Sequence, residues 1–187
     1  QIVLTNGIHK TPVAAPFYVT KDVTICGATD RPEDVEVQML GSGHRIFELN
    51  SAGARLAGLS LEGKTRGNGN TVARGALVYI DTNGGGVSNC ILRGGAALLW
   101  SSYGAAAYMN AGTITHCVIS NNAIQYADYG KPMGMAVAIN GGTLANSLMA
   151  YNKPYSVGTT PASGGGAVYA TGGLVMNCTI VSNSYDD

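Results

Sequence analysis

Five copies of one short pattern recur along this chain, and their spacing constrains the fold more than any other feature. The copies are "GARLAGLSLEGK" from Gly53, "GGGVSNCILRGG" from Gly84, "AGTITHCVISNN" from Ala111, "GGTLANSLMAYN" from Gly141 and "GGLVMNCTIVSN" from Gly172. Their starts lie 31, 27, 30 and 31 residues apart. A period of that size means stacked units, each of which can bury its apolar side only against its neighbours.

Within a copy the apolar columns are position four (Leu56, Val87, Ile114, Leu144, Val175), position seven (Leu59, Cys90, Cys117, Ser147, Cys178) and position nine (Leu61, Leu92, Ile119, Met149, Ile180). Spacings of three and two fit neither a helix nor an unbroken strand, whose buried side chains alternate strictly. Two short strands joined by a bend do fit, with all three columns inside. Position six names the bend: Gly58, Asn89, His116, Asn146 and Asn177. Glycine enters the left-handed backbone region freely, and Asn and His are enriched there. The column is therefore predicted to be a structural corner ladder, with asparagines bonding from coil to coil.

A third strand precedes each copy: 45–49, 76–80, 105–109, 135–139 and 166–170, ending in Gly/Asn turns. Each unit thus reads as three short strands and three corners, stacked at the ~4.8 Å spacing of paired strands. Residues 1–43 carry short apolar strands but no clean copy, as expected of a capping region with atypical first coils, and 44–187 form the regular coils. The predicted fold is a single all-β domain, a parallel β-helix of about six coils with three sheets, expected to be part of a longer protein.

Taken together, "IVLTNGIH", "KDVTICGA" and the "GGAVY…GG…NCTI..N" cadence resemble the right-handed parallel β-helices of the pectate-lyase-like superfamily. The resemblance implies a secreted or cell-surface protein of bacterial type, with ligand lying on the sheet made by the third strands. The same coil serves lyases, hydrolases, adhesins and stalks, so the fold alone does not choose among them.

Composition narrows the partners. Eleven Lys and Arg balance eleven Asp and Glu, which argues against a nucleic-acid surface or a polybasic membrane anchor. No apolar run reaches the ~18 residues of a spanning helix. Cys90 and Cys117 would stand on neighbouring coils, within the ~4.4–6.8 Å window of a disulfide, or remain buried thiols that pack as small hydrophobes. No CxxC pair suggests a metal.

Chemistry is sought on the third strands. Glu48, Tyr79, Tyr108, Ala138 and Tyr169 form one column whose apolar neighbours face inward, so the column faces out. The loops leading into it hold Trp100, Tyr103, Tyr126, Tyr129 and Tyr155 with Arg66, Arg74, Asp128, Lys131 and Lys153. Aromatic faces beside polar groups suit sugar rings; equally, such tyrosines can ladder along the sheet and pack under the loops. Glu48, Tyr79, Tyr108, Tyr169, Trp100, Tyr103, Tyr126 and Tyr129 are the candidate ligand-binding residues. In the resembled family, lyases use a Lys or Arg base with carboxylates holding calcium, and hydrolases use a close carboxylate pair. Here Glu48, Glu62, Asp81 and Asp128 look scattered, which counts against a hydrolase. A lyase would draw on Asp81, Arg74, Asp128 and Lys131, and only that reading brings in calcium. Position eight (Ser60, Ile91, Val118, Leu148, Thr179) faces out, and its three apolar members mark a partner surface. The expected function is a non-catalytic module binding extended polysaccharide or another surface ligand, without a cofactor. A lyase and a self-stacking stalk or fibre subunit are the alternatives.

Overall fold

Positions four and nine stack copy on copy. Leu56 pairs with Val87, Val87 with Ile114, Ile114 with Leu144 and Leu144 with Val175. Leu61, Leu92, Ile119, Met149 and Ile180 follow in the same register. Leu56, Leu61, Leu92, Ile114 and Ile119 are fully buried, each contributing about 1.5–3 kcal/mol by leaving water. This in-register stacking generates an all-β parallel β-solenoid of about five turns, seen in a computed structural model that describes residues 1–11, 15–40, 44–63, 74–97, 102–126, 133–156 and 166–183.

Three long sheets run its length. Sheet 1 carries position four in strands such as Arg55–Ala57 and Gly86–Ser88, and sheet 2 carries position nine in strands such as Ser60–Glu62 and Ile91–Arg93. Each has seven strands. Sheet 3 has six: Phe17–Val19, Phe47–Leu49, Val78–Ile80, Ala107–Met109, Val137–Ile139 and Val168–Ala170. The N-terminal segment joins the same stack, with Ile2 on Ile25, Ile25 on Leu56 and Val37 on Leu61.

A fourth parallel sheet was not expected. Ala96–Ala97, Ala123–Tyr126 and Lys153–Ser156 pair in that order, in segments read from the sequence as the starts of loops. Nothing in "AIQY" and "KPYS" alternates, and Pro154 argues against a central strand. It is tolerated because Lys153–Ser156 is an edge strand of this sheet.

Two left-handed corners bound sheet 2. The first is position six, with φ of 62°, 48°, 53°, 48° and 50° at Gly58, Asn89, His116, Asn146 and Asn177. The second is position eleven, where Gly94, Asn121, Tyr151 and Ser182 have φ of 67°, 55°, 57° and 51°. Coil-to-coil amide bonding lies elsewhere than predicted. Among the described residues no side-chain bond joins one position-six residue to the next, and Asn89 Nδ2 instead donates to the Asp30 carbonyl at 3.2 Å. The ladder runs through position twelve, where buried Asn122 donates to Asn152 Oδ1 and Asn152 donates to Asn183 Oδ1, both at 2.8 Å. The physical reason is direction: position six carries its side chains to the surface, whereas position twelve turns them into the stack.

Candidate functional site

The outward column of sheet 3 runs Tyr18, Glu48, Tyr79, Tyr108, Ala138, Tyr169, each paired with the next across neighbouring strands. Phe47, Leu49, Val78 and Ile80 on either side are buried, which leaves this column on the outer surface. Tyr18, which lies in the irregular N-terminal segment where no repeat marks the register, extends the predicted column and is 63% exposed.

The tyrosines interlock. Tyr79 and Tyr108 stack with centroids 5.6 Å apart and planes 6° from parallel. Asn110 Nδ2 donates to the Tyr79 hydroxyl at 2.9 Å. The Arg45 guanidinium lies 4.4 Å from the Tyr79 centroid and is tied to Glu48 at 3.1 Å. Burial pulls the Arg45 pKa down, opposed by the Glu48 charge. Both faces of the Tyr79 ring are thereby engaged, and Glu48 is held as the counter-ion of an arginine.

Arg74 and Tyr103 reach this face because of the residue that follows each. Gly75 and Gly104 have φ of 57° and 59°, and a Cβ there would stand 2.2 Å from the Val78 carbonyl oxygen and 2.0 Å from that of Ala107. Only glycine fits such a corner, and the turn carries Arg74 and Tyr103 alongside sheet 3, where their backbones bridge. Arg74 lies 5.1 Å from the Tyr108 centroid and 5.7 Å from that of Tyr103, distances at which a cation is attracted to a ring face. Tyr103 meets Tyr108 edge-on at 6.4 Å and Tyr169 at 5.9 Å with planes 44° apart. It therefore bridges the place in the column where Ala138 supplies no ring, and Ala138 is 1% exposed.

A pocket of about 200 Å³ opens there, lined by Arg74, Tyr103, Tyr108, Ala138, Ile139, Asn140, Tyr169 and Thr171. Its downstream wall is a second polar ladder: Thr171 Oγ1 donates to Asn140 Oδ1 at 2.8 Å, and Asn140 Nδ2 donates to Asn110 Oδ1 at 3.2 Å. In the sequence Asn50, Asp81, Asn110, Asn140 and Thr171 directly follow successive sheet 3 strands, a recurrence that could have located this wall.

The remaining candidates divide. Trp100, Tyr129, Asp128, Lys131 and Arg66 lie outside the described residues, and Tyr126 ends the Ala123–Tyr126 strand of the fourth sheet. Asp81 and Arg74 are not brought together; Asp81 accepts from the Thr82 N–H at 2.8 Å, beyond the far end of Val78–Ile80. One carboxylate pair does converge, against the sequence reading of scattered acids, and it is on sheet 2. Arg93 bridges Glu62 at 2.8 Å and Glu36 at 3.1 Å, and Gln38 Nε2 donates to Glu36. Glu36 was missed because it lies in the irregular first coils. Both acids face one arginine there, which suits an ion-pair cluster. On the same sheet Ser60 is buried, Val118 is 39% exposed, and Ile91 and Leu148 are half-buried.

Among the described residues, no three His, Cys, Asp or Glu side chains gather to hold a metal, and no helix is long and apolar enough to cross a membrane. Cys90 and Cys117 are buried free thiols in contact, and the hydrogen bond between them, aided by burial, pushes the Cys90 thiol well above its ordinary pKa. Comparison with protein-family models, curated proteins and solved structures found no match in any of the three.

Proposed function

We propose that this chain is a non-catalytic module of a secreted or cell-surface protein, akin to the right-handed β-helices of the pectate-lyase-like superfamily, and that it binds polysaccharide through the tyrosine-bearing face of sheet 3. The observation that carries the reading is the pocket over Ala138, where three tyrosine rings, a guanidinium, an amide and a hydroxyl converge. Rings supply apolar faces for sugar C–H groups, and the polar groups meet hydroxyls. The nearest described carboxylate of the column, Glu48, is occupied by Arg45. That arrangement supports binding over acid–base chemistry.

The test is a glycan-array screen run beside an absorbance assay for unsaturated product on acidic polysaccharides, with and without calcium. Binding without product is expected. Product release would replace this reading with a lyase.

A further inference from the structure

The binding reading above leaves open which part of a glycan enters, and the inference here rests on that reading. Described residues flank the pocket on four sides. Along the solenoid axis it lies between Tyr108 and Tyr169, whose strands stand two rungs apart, roughly 10 Å. Across the axis it lies between Tyr103 with Arg74 upstream and Asn140 with Thr171 downstream. About 200 Å³ is below the ~300–1,000 Å³ of pockets that enclose drug-sized ligands, which favours a small unit over an extended one. Among the described residues no open aromatic track continues from it towards Tyr79, because Tyr79 is engaged by Tyr108 and Arg45 and Tyr108 is only 9% exposed.

Arg74 adds a second selection. Arg45 is paired with Glu48, but among the described residues no carboxylate pairs with Arg74, which is exposed and lies 5.1 Å and 5.7 Å from the Tyr108 and Tyr103 ring centroids. A guanidinium drawn to ring faces by its charge still carries in-plane N–H groups that can fork onto an oxyanion.

We propose that the pocket over Ala138 is a single-residue subsite that takes the terminal or branch unit of a glycan, its negatively charged substituent turned to Arg74, and rejects internal stretches of a linear chain. Carboxylate, sulfate ester and phosphate ester share the chemistry Arg74 reads.

The test titrates isotope-labelled protein with glucuronic acid, glucose 6-sulfate, glucose 6-phosphate and neutral glucose, following backbone amide signals. At least one charged probe is expected to move Ala138, Asn140 and Thr171 at concentrations where glucose moves none. Arg74→Gln should weaken that probe at least about tenfold, and Arg74→Lys, which keeps the charge but not the fork, should weaken it less. Melting curves establish that each variant is folded. A trisaccharide with the charged unit at its end should bind like the free unit, and one with the unit in its middle at least about tenfold more weakly. Equal binding of glucose, an unaffected Arg74→Gln, or tighter binding of the internal unit overturns the proposal. So does silence of all four probes. If polysaccharide still binds on the array in that case, the subsite fails alone; if the array is silent too, both readings fall.

Discussion

Asn122 and Asn152 sit one turn apart, and the side-chain amide of Asn122 donates to Asn152 Oδ1 at 2.8 Å while the Asn122 backbone N–H donates to the same oxygen at 3.1 Å. Asn152 is fully buried and donates in turn to the Ile119 carbonyl at 2.9 Å. Removing its amide leaves several buried polar groups without partners, each costing about 1–3 kcal/mol. Asn152→Leu should therefore destabilise the protein by about 3 kcal/mol in urea unfolding, more than any substitution at position six.

Position six is a backbone device. Asn146 has φ of 48°, and a β-branched residue there incurs the full left-handed penalty of about 1–2 kcal/mol. Asn146→Val should lower stability by that amount, and Asn146→Gly should leave the melting temperature nearly unchanged. A Val variant as stable as the parent would show that the corner imposes no strain.

These two columns show what the sequence made legible. Inward positions four, seven and nine, the left-handed sixth position and the register of Tyr79 on Tyr108 all follow from aligning the copies, because a solenoid repeats its environment every turn. Asn122, Asn152 and Asn183 recur just as plainly, but recurrence does not say whether a side chain points out or in. That depends on a second corner at position eleven, where Tyr151 and Ser182 give no sequence sign of a positive φ. The site was half visible: the column was, whereas the engagement of Tyr79 by Arg45 and the bridging of Ala138 by Tyr103 arise from side-chain packing.

Arg93 holds Glu36 and Glu62 in one cluster on sheet 2. Arg93→Met leaves two facing carboxylates without their shared counter-ion. The resulting deficit should shrink with added salt, which screens charges this near the surface. Since Arg93 is 42% exposed, solvent screening keeps it to about 1 kcal/mol or less. Melting temperatures of parent and variant at low and high salt check this; a gap that widens with salt would contradict it.

Cys90 bears on alkaline stability. Its thiol is pushed up by the Cys117 hydrogen bond first and burial second, so the folded state holds the proton more tightly than the unfolded chain. Its stabilising contribution is present below the unfolded thiol pKa of about 8.5 and is lost as pH rises above it. The parent should lose stability above that pH more steeply than Cys90→Ala. Iodoacetamide at pH 8 should label Cys90 only after denaturant is added.

Carbohydrate binding at the tyrosine face of sheet 3 is the proposal on which the functional reading stands. The most direct test measures affinity for an array-positive polysaccharide in Tyr169→Ala and, in parallel, Val118→Ser on the exposed stripe of sheet 2. Tyr169 is the better probe than Tyr108, because it lines the pocket and is less buried. At equal folded stability, Tyr169→Ala should weaken binding about tenfold, as expected when a stacking aromatic is removed, and Val118→Ser should leave it unchanged. Full affinity in Tyr169→Ala with loss in Val118→Ser would place the ligand on the other face and contradict the account.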